Sequence, residues 1–289
     1  MELSAWDAAA IGIKAILYAA TLSAAGGVFF LFYSATLMTA EPYRRIRRWI
    51  GLCTAVGLLA SALRISILAG SMGETAISLV DGAMMRMVLE AGEARATGLR
   101  VAGLLLIASV ALTGRTSLPA LLGAVVAATS FAWIGHAWAM GRGSVALLSL
   151  HLIAVAFWLG ALVPLLLVGQ MGALPTLART AKRFGKIAVG AVVALLLAGS
   201  FLLATVLRHL SDLWNTDYGR LVSGKIVVVA VLLAAAAVNK LRFTPRLQAE
   251  DAAAAIGLLR SIRAEVLLGG FILVITAALT SLVGPPGLE

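Results

Sequence analysis

Polar residues interrupt this chain only in short bursts. Between them run eight apolar stretches, at about 9–39, 49–70, 98–114, 118–139, 145–169, 185–207, 219–241 and 263–283. A helix needs about 20 apolar residues to cross roughly 30 Å of hydrocarbon, so each stretch predicts a transmembrane helix. Two of the connections, Gly114-Arg115-Thr116-Ser117 and Gly141-Arg142-Gly143-Ser144, are too short for anything but tight hairpins. They set the third, fourth and fifth helices side by side and antiparallel, with Pro119 where a helix start tolerates a missing N–H. The fold class expected is all-α: a polytopic transmembrane helical bundle of about eight membrane-spanning helices, one integral membrane domain over 1–289. The single long connection, 71–97, alternates apolar and charged residues with a helical period over 83–93, a pattern compatible with an interfacial helix.

Composition identifies the solvent. The chain is 61% hydrophobic and 12% charged, against about 45–50% and 25% for a soluble domain, so the surplus apolar surface must face a lipid bilayer. Its net charge of +10 then becomes a question of membrane sides. One set of loops carries fourteen cations, among them Arg44, Arg45, Arg47, Arg48, Lys182 and Arg183; the other carries six, with most of the acids, including Glu74, Glu90, Glu93 and Asp212. Short cytoplasmic loops concentrate Lys and Arg, which puts the richer side in the cytoplasm and both termini on the periplasmic face. The cations form no dense face interleaved with aromatics, so no nucleic acid is expected as a partner. The first apolar run lacks a basic lead-in and is too long for a signal-peptide core, so it is expected to remain as the first helix. One cysteine, Cys53, excludes an internal disulfide framework. No phosphate-binding Gly/Lys loop, G-x-S-x-G or H-E-x-x-H occurs, so neither an ATP-driven pump nor a hydrolase is expected, and the chain reads as a non-enzyme.

Three histidines, all assigned to the outer side, carry the candidate chemistry. His136 precedes the second tight hairpin by about five residues and His151 follows it by about seven. On two continuous helices rising 1.5 Å per residue, their depths would differ by about 3 Å. Neighbouring axes lie about 8–10 Å apart, close enough for both rings to reach one ion. Met140 stands four residues after His136, on the same helical face. Two imidazoles and a thioether suit copper, and the thioether favours Cu(I). The competing reading has both histidines as polar bridges between helices; the cost of burying such groups in lipid and their matched depth favour the metal. Met84, Met85 and Met87 form a compact outer cluster, either a capture site for Cu(I) or flexible apolar filler. His209, beside Arg208 and Asp212, reads as a solvated loop residue, and Cys53 as filler. Lys14, Arg64 and Lys225 lie within spans or at their edges; snorkelling to the interface accounts for Lys225.

Three stretches resemble the copper resistance protein D family of bacterial inner-membrane proteins. They are Trp133-Ile134-Gly135-His136-Ala137 with the run from Leu150 to Leu162; Arg183-Phe184-Gly185; and Tyr218-Gly219-Arg220-Leu221 leading to Lys225, Asn239, Arg260-Ser261 and Glu265. The resemblance covers about 118–285, a helical core. It implies copper transport or handling at the bacterial inner membrane, a separate periplasmic copper-binding protein as partner, and His136 and His151 as functional positions. The alternative is a b-type cytochrome-like protein holding haem b between two histidines, for electron transfer or quinone chemistry.

Overall fold

The computed structural model describes residues 4–207 and 209–282, apart from the side chains of His136 and Leu282. Helices and turns account for these residues, with no strand among them. Ser4 and Asp7 form a capping box that opens α1 (Ala5–Ser34). Helix α2 (Ala40–Gly73) runs back to the side on which α1 begins. The long connection holds α3 (Gly82–Val88), which Asp81 starts by accepting from the backbone N–H of Ala83 at 2.8 Å. A π-turn kinked at Gly92 joins it to α4 (Ala94–Thr113). Next come α5 (Leu118–Thr129), α6 (His136–Ala139), α7 (Arg142–Gly160), α8 (Leu162–Met171), α9 (Leu174–Val206), α10 (Asp212–Asn215), α11 (Asp217–Val238), α12 (Thr244–Gln248) and α13 (Ala252–Leu282).

Among the described residues, seven helical stretches are long and apolar enough to span a membrane, counting α3–α4, α7–α8 and α11–α12 as single rods. The fourth predicted span is shorter than its apolar run, ending at Trp133. Ile134 is extended there, and Gly135 takes φ +71°, a left-handed conformation that glycine tolerates and that turns the chain out of the helix. This short helix still has to count as a crossing. Lys14 Nζ, early in α1, donates to the carbonyl of Thr280, near the end of α13, at 2.6 Å. The start of α1 and the end of α13 therefore lie on one face, which demands an even number of passes. The 118–133 segment supplies about 24 Å of rise and completes eight.

Helix α1 is the centre of the bundle: 72% of its apolar window is buried, against 11% for the α11–α12 rod. Against α7 it packs backbone to backbone. A Cβ on Gly26 would sit 2.1 Å from the Ala156 carbonyl oxygen, and one on Gly160 would sit 2.4 Å from that of Leu22. Small residues that let helices approach this closely are a main source of packing energy in lipid, where water drives nothing together. Pro164, one turn beyond Gly160, has no N–H for the Gly160 carbonyl, and the helix breaks at Ala161. On the cation-rich side Arg47 donates to the last carbonyls of α4, Nε to Val110 at 3.1 Å and Nη2 to Ala111 at 2.8 Å. The Val110 carbonyl also takes the Gly114 N–H at 3.2 Å, so the group that Arg47 rescues from the unpaired helix end is Ala111. Outward faces such as Leu197, Phe201, Val227 and Leu267 are exposed, as lipid-facing side chains are.

Candidate functional site

His151 lies in the third turn of α7 and faces α9. Its Nδ1 is 3.3 Å from the Leu195 carbonyl oxygen. The ring has room because residue 199 is glycine: a Cβ there would come within 3.3 Å of the imidazole. A carbonyl oxygen can only accept, so this hydrogen bond puts the proton on Nδ1 and leaves Nε2 with a lone pair.

His136 opens the one-turn helix α6, beyond the break at Ile134 and Gly135. Its side chain lies outside the described residues. The break changes the depth relation expected from two continuous helices, because residues 134–139 no longer extend the α5 axis. Met140 follows α6 and is exposed. Met84 and Met85 are half-buried and Met87 exposed on α3. Helix α3 packs on α2, and α6 packs on α7, so the two methionine-bearing stations sit on different helix pairs. Among the described residues no three His, Cys, Asp or Glu side chains gather as a metal cluster. His209 is exposed in the turn before α10, where its backbone N–H donates to Asp212 at 2.9 Å.

The space beside α6 is a cavity of about 340 Å³ whose walls include Glu90, Gly92, Arg95, Trp133, Gly135 and Trp138. Arg95 stacks its guanidinium 4.1 Å over the Trp138 ring, and Trp133 stacks on the other indole at 5.6 Å. A second cavity of about 280 Å³ lies between α9, α11 and α13, towards the cation-rich side that carries Arg183 and Lys240. Its walls are apolar except around Asn239 and Glu265. Both side chains are buried, and Asn239 Nδ2 donates to the Glu265 carboxylate.

Two family models match, copper resistance protein D over residues 178–279 and the copper resistance protein D-like N-terminal domain over 4–147. The chain belongs to the copper resistance protein D family. The match reaches further than the 118–285 resemblance, since the N-terminal model takes in α1 to α6. This member of the copper resistance protein D family is thus a multi-pass membrane protein of copper resistance. No curated relative and no solved structure matches the chain.

The structure also brings together residues that sequence reasoning scattered. Glu93 and Arg100, expected among the outer loop charges, are 4% and 1% exposed. Arg64 Nε donates to Glu93 at 2.9 Å, a pair shielded from solvent. The sequence held a signal for this. Glu93, Thr97 and Arg100 recur at the spacing of one helical face, and Arg64 stands in an otherwise apolar run. The Asn239–Glu265 pair left only the fainter signal of two polar residues inside apolar helices.

Proposed function

We propose that this protein moves copper inward across the membrane from a periplasmic-side site that includes His151, His136 and Met140. Copper is the substrate, captured first by Met84, Met85 and Met87. The observation that carries the reading is the His151 hydrogen bond. Metal-binding histidines characteristically donate their second N–H to a carbonyl or carboxylate, which fixes the ring and raises its basicity. Leu195 plays that part here, and Nε2 keeps the lone pair for the ion. The family match points the same way and favours copper handling over the haem-bearing alternative. The cavity beside Asn239 and Glu265 supports the inward half of the route, where polar residues are sparse in the sequence: Asn239 Oδ1 is buried and makes no hydrogen bond there.

The test is copper bound to the purified protein under reducing conditions, measured by elemental analysis. Wild type is expected to hold Cu(I) that the pair His136→Ala with His151→Ala loses. Equal stoichiometry in both proteins refutes the site. A separate periplasmic copper-binding protein would deliver the ion, and saturable binding of such a partner to the outer face is the corresponding measurement.

A further inference from the structure

The outer half of the N-terminal domain buries more positive charge than it neutralises. Lys14 on α1, Arg64 on α2 and Arg100 on α4 meet a single carboxylate, Glu93; it is the acid whose field reaches both Lys14 and Arg100. The group is tied together by contacts. Arg64 pairs with Glu93. Arg100 lies 4.4 Å over the Phe131 ring, whose other neighbour at 4.6 Å is Tyr18. The Tyr18 hydroxyl is 3.4 Å from Thr280 Oγ1, and Lys14 donates to the carbonyl of that same threonine. Lys14 and Tyr18 share one face of α1; Glu93, Thr97 and Arg100 share one face of α4.

Donors are left over at its centre. Arg100 is 1% exposed, yet its Nε and Nη1 make no hydrogen bond. Neither do Arg64 Nη1 and Thr97 Oγ1, both buried. Stacking on Phe131 occupies the face of the Arg100 guanidinium and not its N–H edge. Buried cations that share one carboxylate and leave N–H groups without acceptors are among the costliest arrangements a protein can hold, more so within a membrane. Unpaired donors under an excess of positive charge define the complement of an anion.

We propose that α1, α2 and α4 enclose a binding site for one small monovalent anion of halide size, held by Arg64, Arg100 and Thr97. One donor side chain comes from α2 and two from α4, with no glycine loop to wrap a phosphate. A doubly charged oxyanion would also lie against Glu93 and give up far more hydration. The site stands apart from His151 and does not depend on the copper reading.

Binding of radiolabelled chloride to the purified full chain in gluconate buffer tests it. The expected result is saturable binding, one chloride per chain, displaced by bromide and not by gluconate. Arg100→Gln should weaken it about tenfold or more, the scale of losing a charged hydrogen-bond donor. Glu93→Gln removes the only negative charge and should tighten it, a change that a purely structural cluster would not produce. Absence of saturable binding to the wild type overturns the proposal. So does phosphate displacing chloride at lower concentration than bromide, the signature of a phosphate or lipid-headgroup site. Unchanged affinity in Glu93→Gln overturns it even should Arg100→Gln fail to fold.

Discussion

Replacing Glu93 by Gln removes one charge and almost no volume. In the native protein its carboxylate accepts from Arg64 Nε at 2.9 Å, with the two side chains 5% and 11% exposed. Breaking such a buried pair from one side costs about 3–5 kcal/mol, because the surviving charge stays buried without a partner. Gln keeps an acceptor oxygen for Arg64, so the low end applies, about 3 kcal/mol. A chain of this size shifts its midpoint by about 2–4 °C per kcal/mol, which gives a drop of about 6–12 °C. Cys53 supplies the readout: it is the only cysteine and is 5% exposed, so a thiol-reactive fluorogenic dye in a detergent melt reports its release. Midpoints are compared at one scan rate, since unfolding of such a protein is irreversible. Adding Arg64→Gln should recover part of the loss, because one buried cation fewer is then left without its carboxylate. The matched control is Glu41→Gln, which breaks the exposed pairs to Arg44 and Arg45 at the start of α2 and should barely move the curve. A Glu93→Gln midpoint within about 1 °C of wild type would refute the reasoning.

Four further outcomes follow from the same geometry. Gly26→Ala places a methyl 2.1 Å from the Ala156 carbonyl and should cost about 1–3 kcal/mol by overpacking, whereas Gly190→Ala, with nothing within 4 Å, should melt like wild type. Gly199→Leu fills the space beside His151; it should lower bound Cu(I) while leaving the Cys53 melt within a few degrees, and full copper occupancy would count against a His151 ligand. Arg47→Ala strips the Ala111 carbonyl of its donor and leaves Val110 only the Gly114 N–H; it should destabilise by about 1–3 kcal/mol, with Arg47→Lys recovering only part because one ammonium cannot reproduce the fork. In a Cys53→Ser background, a cysteine at Arg142 should react with an impermeant maleimide in intact cells and one at Arg115 only after the membrane is opened. Equal labelling of the two would show that 118–133 does not cross.

The spans were legible because a membrane helix cannot hide its pattern: with no water to serve the backbone, about 20 apolar residues in a row leave few alternatives. The tight turns at 114–117 and 141–144 fixed the neighbours as well, and α4 packs on α5 and α5 on α7 as they require. The end of the fourth span was not legible. His136, Trp138 and Met140 continue an apolar run, and only the φ of Gly135 shows that the helix has already stopped. His151 was visible as a residue but not as a geometry, since its carbonyl partner Leu195 and its spacer Gly199 lie more than forty residues away on α9. The buried charges were misplaced for a related reason. Counting Arg100 and Glu93 as loop residues treats every charge near a span end as solvated, although a helix that begins a turn earlier carries them inside.

The two family models divide the chain between α6 and α9, yet the packing does not follow that division. Helix α1 belongs to the N-terminal match and lies against α2, α4 and α5, but it also touches α7 and α13. Two of those contacts are of unlike kinds. At Gly26 and Gly160 the backbones meet with no side chain to give way, so that joint is stiff. At Lys14 and Thr280 a long flexible side chain spans the gap, so that joint can yield without breaking. On the proposed function, a bundle fixed near its middle and compliant at that end would admit an ion there while keeping its core closed. The buried cations of α1, α2 and α4 sit at that compliant end. A change in their charge balance would therefore act first on the part of the bundle that is least rigidly held.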